Sequence, residues 1–243
     1  ENLSRAGDVV VVSVNHRLNV LGYLDLSPFG EKYQDSANAG NLDLIAALEW
    51  IRDNIEGFGG DPENVTLFGQ SGGGVKVWSL LQMPEADGLF HKGIIESGVV
   101  DPDLLGDIED GNGREIVKAM LAELGLEEKD VDQLETLPYD QLAQAYENAA
   151  PKVAQKGEYV GNHSHKNQSY FGDAIKHGFR EETKKIPLLI GTVLGEFDFG
   201  PAISGKYEFT RKEVEEKVSD ALGEEGIELI DEFLKIYPDK API

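Results

Sequence analysis

An α/β fold built on a mostly parallel, doubly wound sheet is predicted by three observations. Apolar, β-branched runs alternate with stretches of helical periodicity through the first hundred residues. The run Val9 to Val14 is apolar on both faces, the pattern of a strand covered by helices on two sides. The stretch "LFGQSGGG", residues 67 to 74, sets a serine among glycines where an apolar run stops and a helical pattern starts. With 243 residues, 40% of them apolar and 28% charged, the chain is long enough for one such domain with a sizeable core.

Each element follows from local pattern. After the strand at Val9, Asn41 to Ile55 reads as a helix. Leu42, Ile45, Leu48, Ile51 or Arg52, and Ile55 recur at helical spacing, and Gly57 offers a stop. Gly59-Gly60-Asp61-Pro62 is a turn. Val65 to Gly69 is a short strand, Gly72 to Met83 a helix ended by Pro84, and Gly93 to Glu96 a further strand. Residues 1–100 are therefore expected to form the sheet core. Residues 101–185 differ. Arg114 to Leu124 predicts a helix with Ile116, Val117, Met120, Leu121 and Leu124 inward, and Tyr139 to Ala149 predicts another after Pro138. These short acidic helices are expected to lie over the sheet as an insertion without a core of their own. Lys152 to His177 is polar and irregular, which predicts a long surface loop. In residues 186–243 the run Ile186 to Thr192 returns to the sheet. Thr210 and Glu213 have capping-box spacing ahead of a helix to Leu222, and Ile227 to Ile236 is a last helix closed by Pro238. The whole, 1–243, is expected to be a single α/β domain.

Composition removes several classes of function. The chain carries 45 acidic and 22 basic residues, a net charge of -23. Nucleic acid and anionic membrane surfaces are poor partners for such a chain, because both need clustered cations. No apolar run approaches the length of a membrane span. Cysteine is absent, which excludes disulfides, thiol catalysis and zinc-thiolate sites and leaves the compartment open.

Two chemistries place glycine at a strand-to-helix turn. A phosphate loop needs glycine, four residues, then Gly-Lys-Ser/Thr. Gly69 and Gly74 have the gap, but Val75 precedes Lys76 and Val77 follows it, so the lysine is displaced and the magnesium ligand is missing. The dinucleotide fingerprint does not fit either. Gly69-Gln70-Ser71-Gly72-Gly73 does match Gly-x-Ser-x-Gly, the nucleophile elbow. There the serine occupies a strained turn. Residues two before and two after it crowd each other, and Gly69 and Gly73 are expected to relieve that crowding. The turn lifts the Ser71 hydroxyl off the sheet and aims the Gly72 N–H, at a helix start, toward an oxyanion. The plain alternative is a serine in a glycine-rich turn.

At this point a resemblance becomes specific. "GNLDLIAALEWIRDNIEGFGGDPENVTLFGQSGGG" (Gly40 to Gly74) resembles the type B carboxylesterase family, the α/β-hydrolase group that includes the cholinesterases. "VVVVSVNHRLNVLGYL" (Val9 to Leu24), "GLFHKGIIESG" (Gly88 to Gly98) and "IPLLIGTVLGEF" (Ile186 to Phe197) are similar to further family segments. The likeness is weakest from about residue 101 to 185. Gly72 stands where many relatives have alanine.

The resemblance implies an α/β-hydrolase fold with a helical insertion and a serine carboxylesterase that needs no cofactor and no metal. Its substrate would be a small-molecule carboxylic ester. It implies Ser71 as nucleophile and Glu196 as the triad acid; on the residues alone Asp198 is a near-equal candidate. Ser97, in "ESG", matches a serine near the acid, and an ordinary strand-end serine is the plain alternative. The chain's histidines, His16, His91, His163, His165 and His177, all precede Glu196, so none stands in the family's order of serine, acid, histidine. His163 and His165, with Asp173 or His177, would make at most a weak metal site, and solvated loop histidines are the plainer reading. The family's His-Gly-Gly-Gly oxyanion segment has no counterpart upstream of Val9. The expectation is therefore a stretch truncated at both ends, holding nucleophile and acid without base or full oxyanion hole. Such a stretch alone should be nearly inert. Unpaired apolar sheet edges would also favour self-association. The rival implied by the same resemblance is a non-catalytic, cholinesterase-like binding or adhesion domain.

Overall fold

The computed structural model describes residues 2–100, 111–161, 163–193, 196, 209–236 and 238. In chain order the elements are α1 (Asn2–Gly7), α2 (Asn19–Tyr23), α3 (Ala39–Asn54), β1 (Thr66–Gln70), α4 (Gly72–Leu80), β2 (Lys92–Glu96), α5 (Arg114–Glu123), α6 (Tyr139–Ala154), α7 (Ala174–His177), β3 (Leu188–Gly191), α8 (Arg211–Leu222) and α9 (Glu224–Ile236). Contacts divide the chain into two units, Glu1–Thr192 and Val193–Ile243.

In the first unit the three strands are parallel, in the order β1-β2-β3. Register places Leu67, Gly93 and Leu188 in one row and Phe68, Ile94 and Leu189 in the next, so the rows face opposite sides of the sheet. On one side Leu67, Ile95 and Leu188 pack with Leu44, Ile45, Leu48 and Ile51 of α3 and Val77, Trp78 and Leu80 of α4. The spacing of the α3 residues explains why that segment is helical: they form one apolar stripe, and each buried side chain contributes about 1.5–3 kcal/mol. On the other side Phe68 and Leu189 stay 53% and 66% exposed.

Asn38 stands at the start of α3, where its side chain would ordinarily cap the helix. Instead its carboxamide donates to His165 O (2.7 Å) and accepts from His165 N (3.2 Å). Asn41 donates to Ser164 Oγ at 2.9 Å and accepts from the Tyr23 hydroxyl, also at 2.9 Å. These bonds change the reading of residues 152–177. α6 runs on to Ala154 through Pro151, held by the buried Val153. The irregular stretch that follows buries Tyr159, His165, Ser169 and Tyr170, so it is part of the interior and not a surface loop.

Two further expectations are corrected. Val9 to Val14 pairs with no strand among the described residues, and Val9, Val10, Val11, Val12 and Val14 are 39–48% exposed. A run apolar on both faces specifies a strand only when ladder partners flank it. The helices α5 and α6 are not a mere cover. Ile116, Val117, Met120, Leu121, Leu142, Ala145, Ala149 and Val153 make a separate core with Val20, Leu24 and Tyr33.

In the second unit α8 begins with the predicted capping box. Glu213 N donates to Thr210 Oγ1 (3.4 Å) and Thr210 N to Glu213 Oε2 (2.8 Å). Val214 of α8 and Ile230 of α9 are buried, and Arg211 reaches Asp231 at 2.5 Å. No helix among the described residues is long and apolar enough to cross a membrane.

Candidate active site

β1 ends at Gln70, exposed and in register with Glu96, and α4 starts at Gly72. Ser71 makes the turn between them alone, at φ 53° and ψ -121°. An L-residue rarely adopts this conformation, which costs on the order of 1–3 kcal/mol. The ladder reaches this residue from one side: Ser71 N donates to Glu96 O at 2.8 Å. From the other, Val75 N donates to Ser71 O at 2.9 Å, the first bond of α4.

Serine at a helix start usually turns its hydroxyl back to cap the first amides. Ser71 does not; its side chain makes no cap bond. The residue is exposed, as are Gly72 and Gly73. The amides of Gly72 and Gly73 lie in the first turn of α4, where no carbonyl of the helix precedes them to accept. An exposed hydroxyl thus stands beside helix-start N–H groups that carry partial positive charge, an arrangement suited to a nucleophile and a developing oxyanion.

The glycines differ in what they contribute. A Cβ on Gly69 would lie 2.3 Å from Gly73 C and 2.4 Å from Gly73 O. A Cβ on Gly73, or on Gly72, would meet nothing within 4 Å. The crowding expected at both elbow glycines is therefore one-sided. It falls on Gly69, because its Cβ vector points at the first turn of the helix while that of Gly73 points outward.

Two further glycines support the turn: Gly98, and Gly74, which the sequence offered only as part of a phosphate-loop spacing that does not fit. A Cβ on Gly98 would come within 2.5 Å of Gly74 Cα, and one on Gly74 within 2.9 Å of Gly98 Cα. The helix start and the end of β2 touch backbone to backbone there. Ser97, between Glu96 and Gly98, also has a positive φ of 53°. Its N–H donates to Gly191 O at 2.7 Å, fastening β2 to β3. The only sequence signal for this support is the glycine of "ESG", which a linear reading cannot tell from an ordinary strand end.

Glu196 falls in the second unit, in an exposed turn, where its carboxylate accepts from Val193 N at 3.0 Å. Asp198 lies outside the described residues. The histidines take up structural contacts. His91 Nδ1 accepts from Val65 N at 3.2 Å, which ties the entry of β1 to that of β2. His165 is buried, not solvated: it stacks on Tyr159 at 4.3 Å and its Nε2 lies 2.8 Å from Gly111 O. His16 Nδ1 lies 2.9 Å from Arg17 O, His163 is half-buried, and His177 is exposed with Nε2 3.5 Å from Lys166 Nζ. No group of three His, Asp or Glu side chains is gathered among the described residues as a metal ion would require. Arg17, in the segment after the Val9 run, forks onto Asp43 of α3 at 2.7 and 2.9 Å. That hydrogen bonding holds the Asp43 carboxyl below the usual carboxylate range.

A parallel sheet whose strand hands over to a helix through one left-handed serine defines the α/β-hydrolase class. Comparison with known proteins makes the assignment narrower. The sequence model of the Carboxylesterase family matches residues 1–231, and the chain belongs to that family. It is 39% identical over 204 residues to the para-nitrobenzyl esterase of Bacillus subtilis (strain 168), spanning 80% of this chain and 38% of that protein. Among solved structures it resembles an esterase from the anaerobe Clostridium hathewayi that can hydrolyze aliphatic aromatic polyesters, at 52% identity and a TM-score of 0.84. That match covers 100% of this chain and 48% of the other. A carboxylesterase of Geobacillus stearothermophilus gives 29% identity and a TM-score of 0.71, covering 99% of this chain and 48% of the other. The chain thus spans about half the length, or less, of the relatives it matches.

Proposed function

We propose that this chain carries the nucleophile of a carboxylic ester hydrolase acting on small-molecule esters. Ser71 Oγ attacks the acyl carbonyl while a histidine from outside the chain takes its proton. Glu196 orients that histidine and stabilises its charged form. The tetrahedral oxyanion accepts a hydrogen bond from Gly72 N–H. The alcohol then leaves with the proton returned by the histidine, and water releases the acid from the acyl-enzyme by the same steps in reverse order. Gly69 and Ser97 shape the turn, and Gln70 and Gly73 flank the nucleophile. Family membership and the esterases among the relatives support this reading.

The observation that carries it is the strained, exposed and uncapped Ser71. A binding or adhesion domain has no use for such a conformation, which disfavours the non-catalytic alternative. The test is a fluorophosphonate label applied to this chain and to a form extended to the length of its relatives. Ser71 is expected to be modified in the extended form and nearly untouched in the chain alone. Loss of the base costs on the order of 10^6 in kcat in a serine hydrolase. An extended form that leaves Ser71 unlabelled would refute the proposal. Comparable labelling of both forms would assign the base to one of the five histidines here.

The exposed row of Phe68 and Leu189 and the outer edge of β1 also support self-association of the chain. Sedimentation velocity is expected to show mass rising with concentration, and Phe68→Lys to suppress it. A strictly monomeric chain at every concentration would contradict this.

A further inference from the structure

A cavity of about 380 Å³ opens at the end of α4 remote from Ser71. The helix is nine residues long, roughly 13 Å at the rise of an α-helix, and Gln82 stands just beyond its last residue, Leu80. The volume falls within the range of about 300–1,000 Å³ typical of small-molecule sites. The lining includes Gln82, Lys166, Phe171, His177, Phe179 and Arg180. Among the described residues no carboxylate lines it, in a chain with 45 acidic residues.

Gln82 fastens one wall of this cavity at both ends. Phe171 N donates to Gln82 O at 3.1 Å, and Gln82 Nε2 donates to Gly172 O at 3.1 Å and to Gly178 O at 3.0 Å. Between these points Trp78 Nε1 donates to Asp173 Oδ2 at 3.0 Å. The same bonds fix the orientation of the Gln82 amide, because a flipped amide would set its oxygen against two carbonyl oxygens. Gln82 is buried, and its Oε1 accepts no hydrogen bond among the described residues. A buried acceptor without a donor is a cost that a bound O–H would remove.

The rest of the lining suits a flat ring that carries an anion. Phe171 is 44% exposed, and Phe179 is held edge-on to Trp78 with ring centroids 5.2 Å apart. The Arg180 guanidinium lies 5.6 Å from the Phe171 centroid, and its charge is met by Asp87 at 2.5 and 2.9 Å. Lys166 Nζ and His177 Nε2 lie 3.5 Å apart. Two basic nitrogens that close repel each other when both are protonated. An anion shared between them turns the repulsion into two charge-assisted hydrogen bonds. We propose that this cavity binds a hydroxylated aromatic carboxylate, with its ring against Phe171 and Phe179, its carboxylate on Lys166 and His177, and its hydroxyl donating to Gln82 Oε1. The net charge of -23 repels anions at long range, so recognition rests on these local contacts. The proposal is independent of the hydrolase reading, since it uses no residue of the serine turn.

The test is isothermal titration calorimetry of the chain with 2-, 3- and 4-hydroxybenzoate. The best of these isomers is expected to bind one-to-one with a Kd on the order of 0.1–1 mM, the strength open to a ligand of this size. Benzoate, which lacks the donor, should bind about tenfold more weakly, and acetate, which lacks the ring, should not saturate. Lys166→Glu, at an exposed position, should weaken the best isomer about tenfold by replacing attraction with repulsion. Phe171→Ala, also exposed, should weaken it about fivefold. No saturable heat with any isomer up to about 10 mM would overturn the proposal. So would equal affinity for benzoate, or a Kd indifferent to Lys166→Glu. The comparison of hydroxybenzoate with benzoate uses the unaltered chain, so it decides the matter even if a variant fails to fold.

Discussion

Gly69→Ala is expected to lower folding stability by about 2–4 kcal/mol and to displace Ser71 from its turn. The new Cβ would sit 2.3 Å from Gly73 C and 2.4 Å from Gly73 O, and both are backbone atoms that no rotamer change can move. Relief requires α4 to shift off the end of β1. That shift is resisted on its far side, where Gly74 already touches Gly98. It is resisted at its base too, where Val77, Trp78 and Leu80 are packed with α3. Gly72→Ala and Gly73→Ala provide the comparison. Neither new Cβ meets anything within 4 Å, and both residues lie in the first turn of a helix. Alanine there should be neutral or stabilising by about 0.4–1 kcal/mol, because it restricts the unfolded chain. Urea unfolding followed by tryptophan fluorescence, from Trp78 on α4 and Trp50 on α3, measures all three. A Gly69→Ala chain within about 0.5 kcal/mol of the parent, the usual range for an unstrained surface change, would show that the elbow is not close-packed.

This one-sided crowding marks the limit of what the linear sequence discloses. The spacing of Gly69, Ser71 and Gly73 suffices to place a tight turn, since any strand feeding a helix through one residue must bring those positions together. Which of the two glycines bears the clash depends on where each Cβ vector points, and that is a property of the assembled helix and strand. β1, α4, β2 and α3 were legible for the same reason as the turn: their apolar spacing is local and their neighbours in sequence are their neighbours in space. Val9 to Val14 has the composition of a buried strand, yet composition cannot supply the adjoining ladder. The core of α5 and α6 was hidden because Val20, Leu24 and Tyr33, which complete it, lie far earlier in the chain. The burial of His165 follows from Asn38 turning away from its helix, a choice that no capping rule foretells. Gly98 was illegible because its partner, Gly74, is brought to it only by the parallel pairing of β1 and β2.

Ser71→Gly should make the chain more stable while removing its nucleophile, and Ser71→Ala should remove the nucleophile without that gain. Both substitutions delete the hydroxyl, so in a form that includes the histidine base each should lose on the order of 10^6 in kcat and take up no fluorophosphonate. They part company in the backbone. At φ 53° and ψ -121° alanine keeps the Cβ and with it the strain of about 1–3 kcal/mol, whereas glycine adopts this region freely. Against that gain, glycine adds freedom to the unfolded chain worth about 0.4–1 kcal/mol. The difference leaves Ser71→Gly more stable than Ser71→Ala by roughly 1 kcal/mol, again read from urea midpoints. A turn selected for stability alone would carry glycine here, as the positions around it do. Serine at this site opposes the local conformational preference, and the hydroxyl it presents is neither buried nor spent on capping α4. If Ser71→Gly proved the less stable of the two, the left-handed turn would not exist in solution, and with it would go the reason for reading Ser71 as a nucleophile.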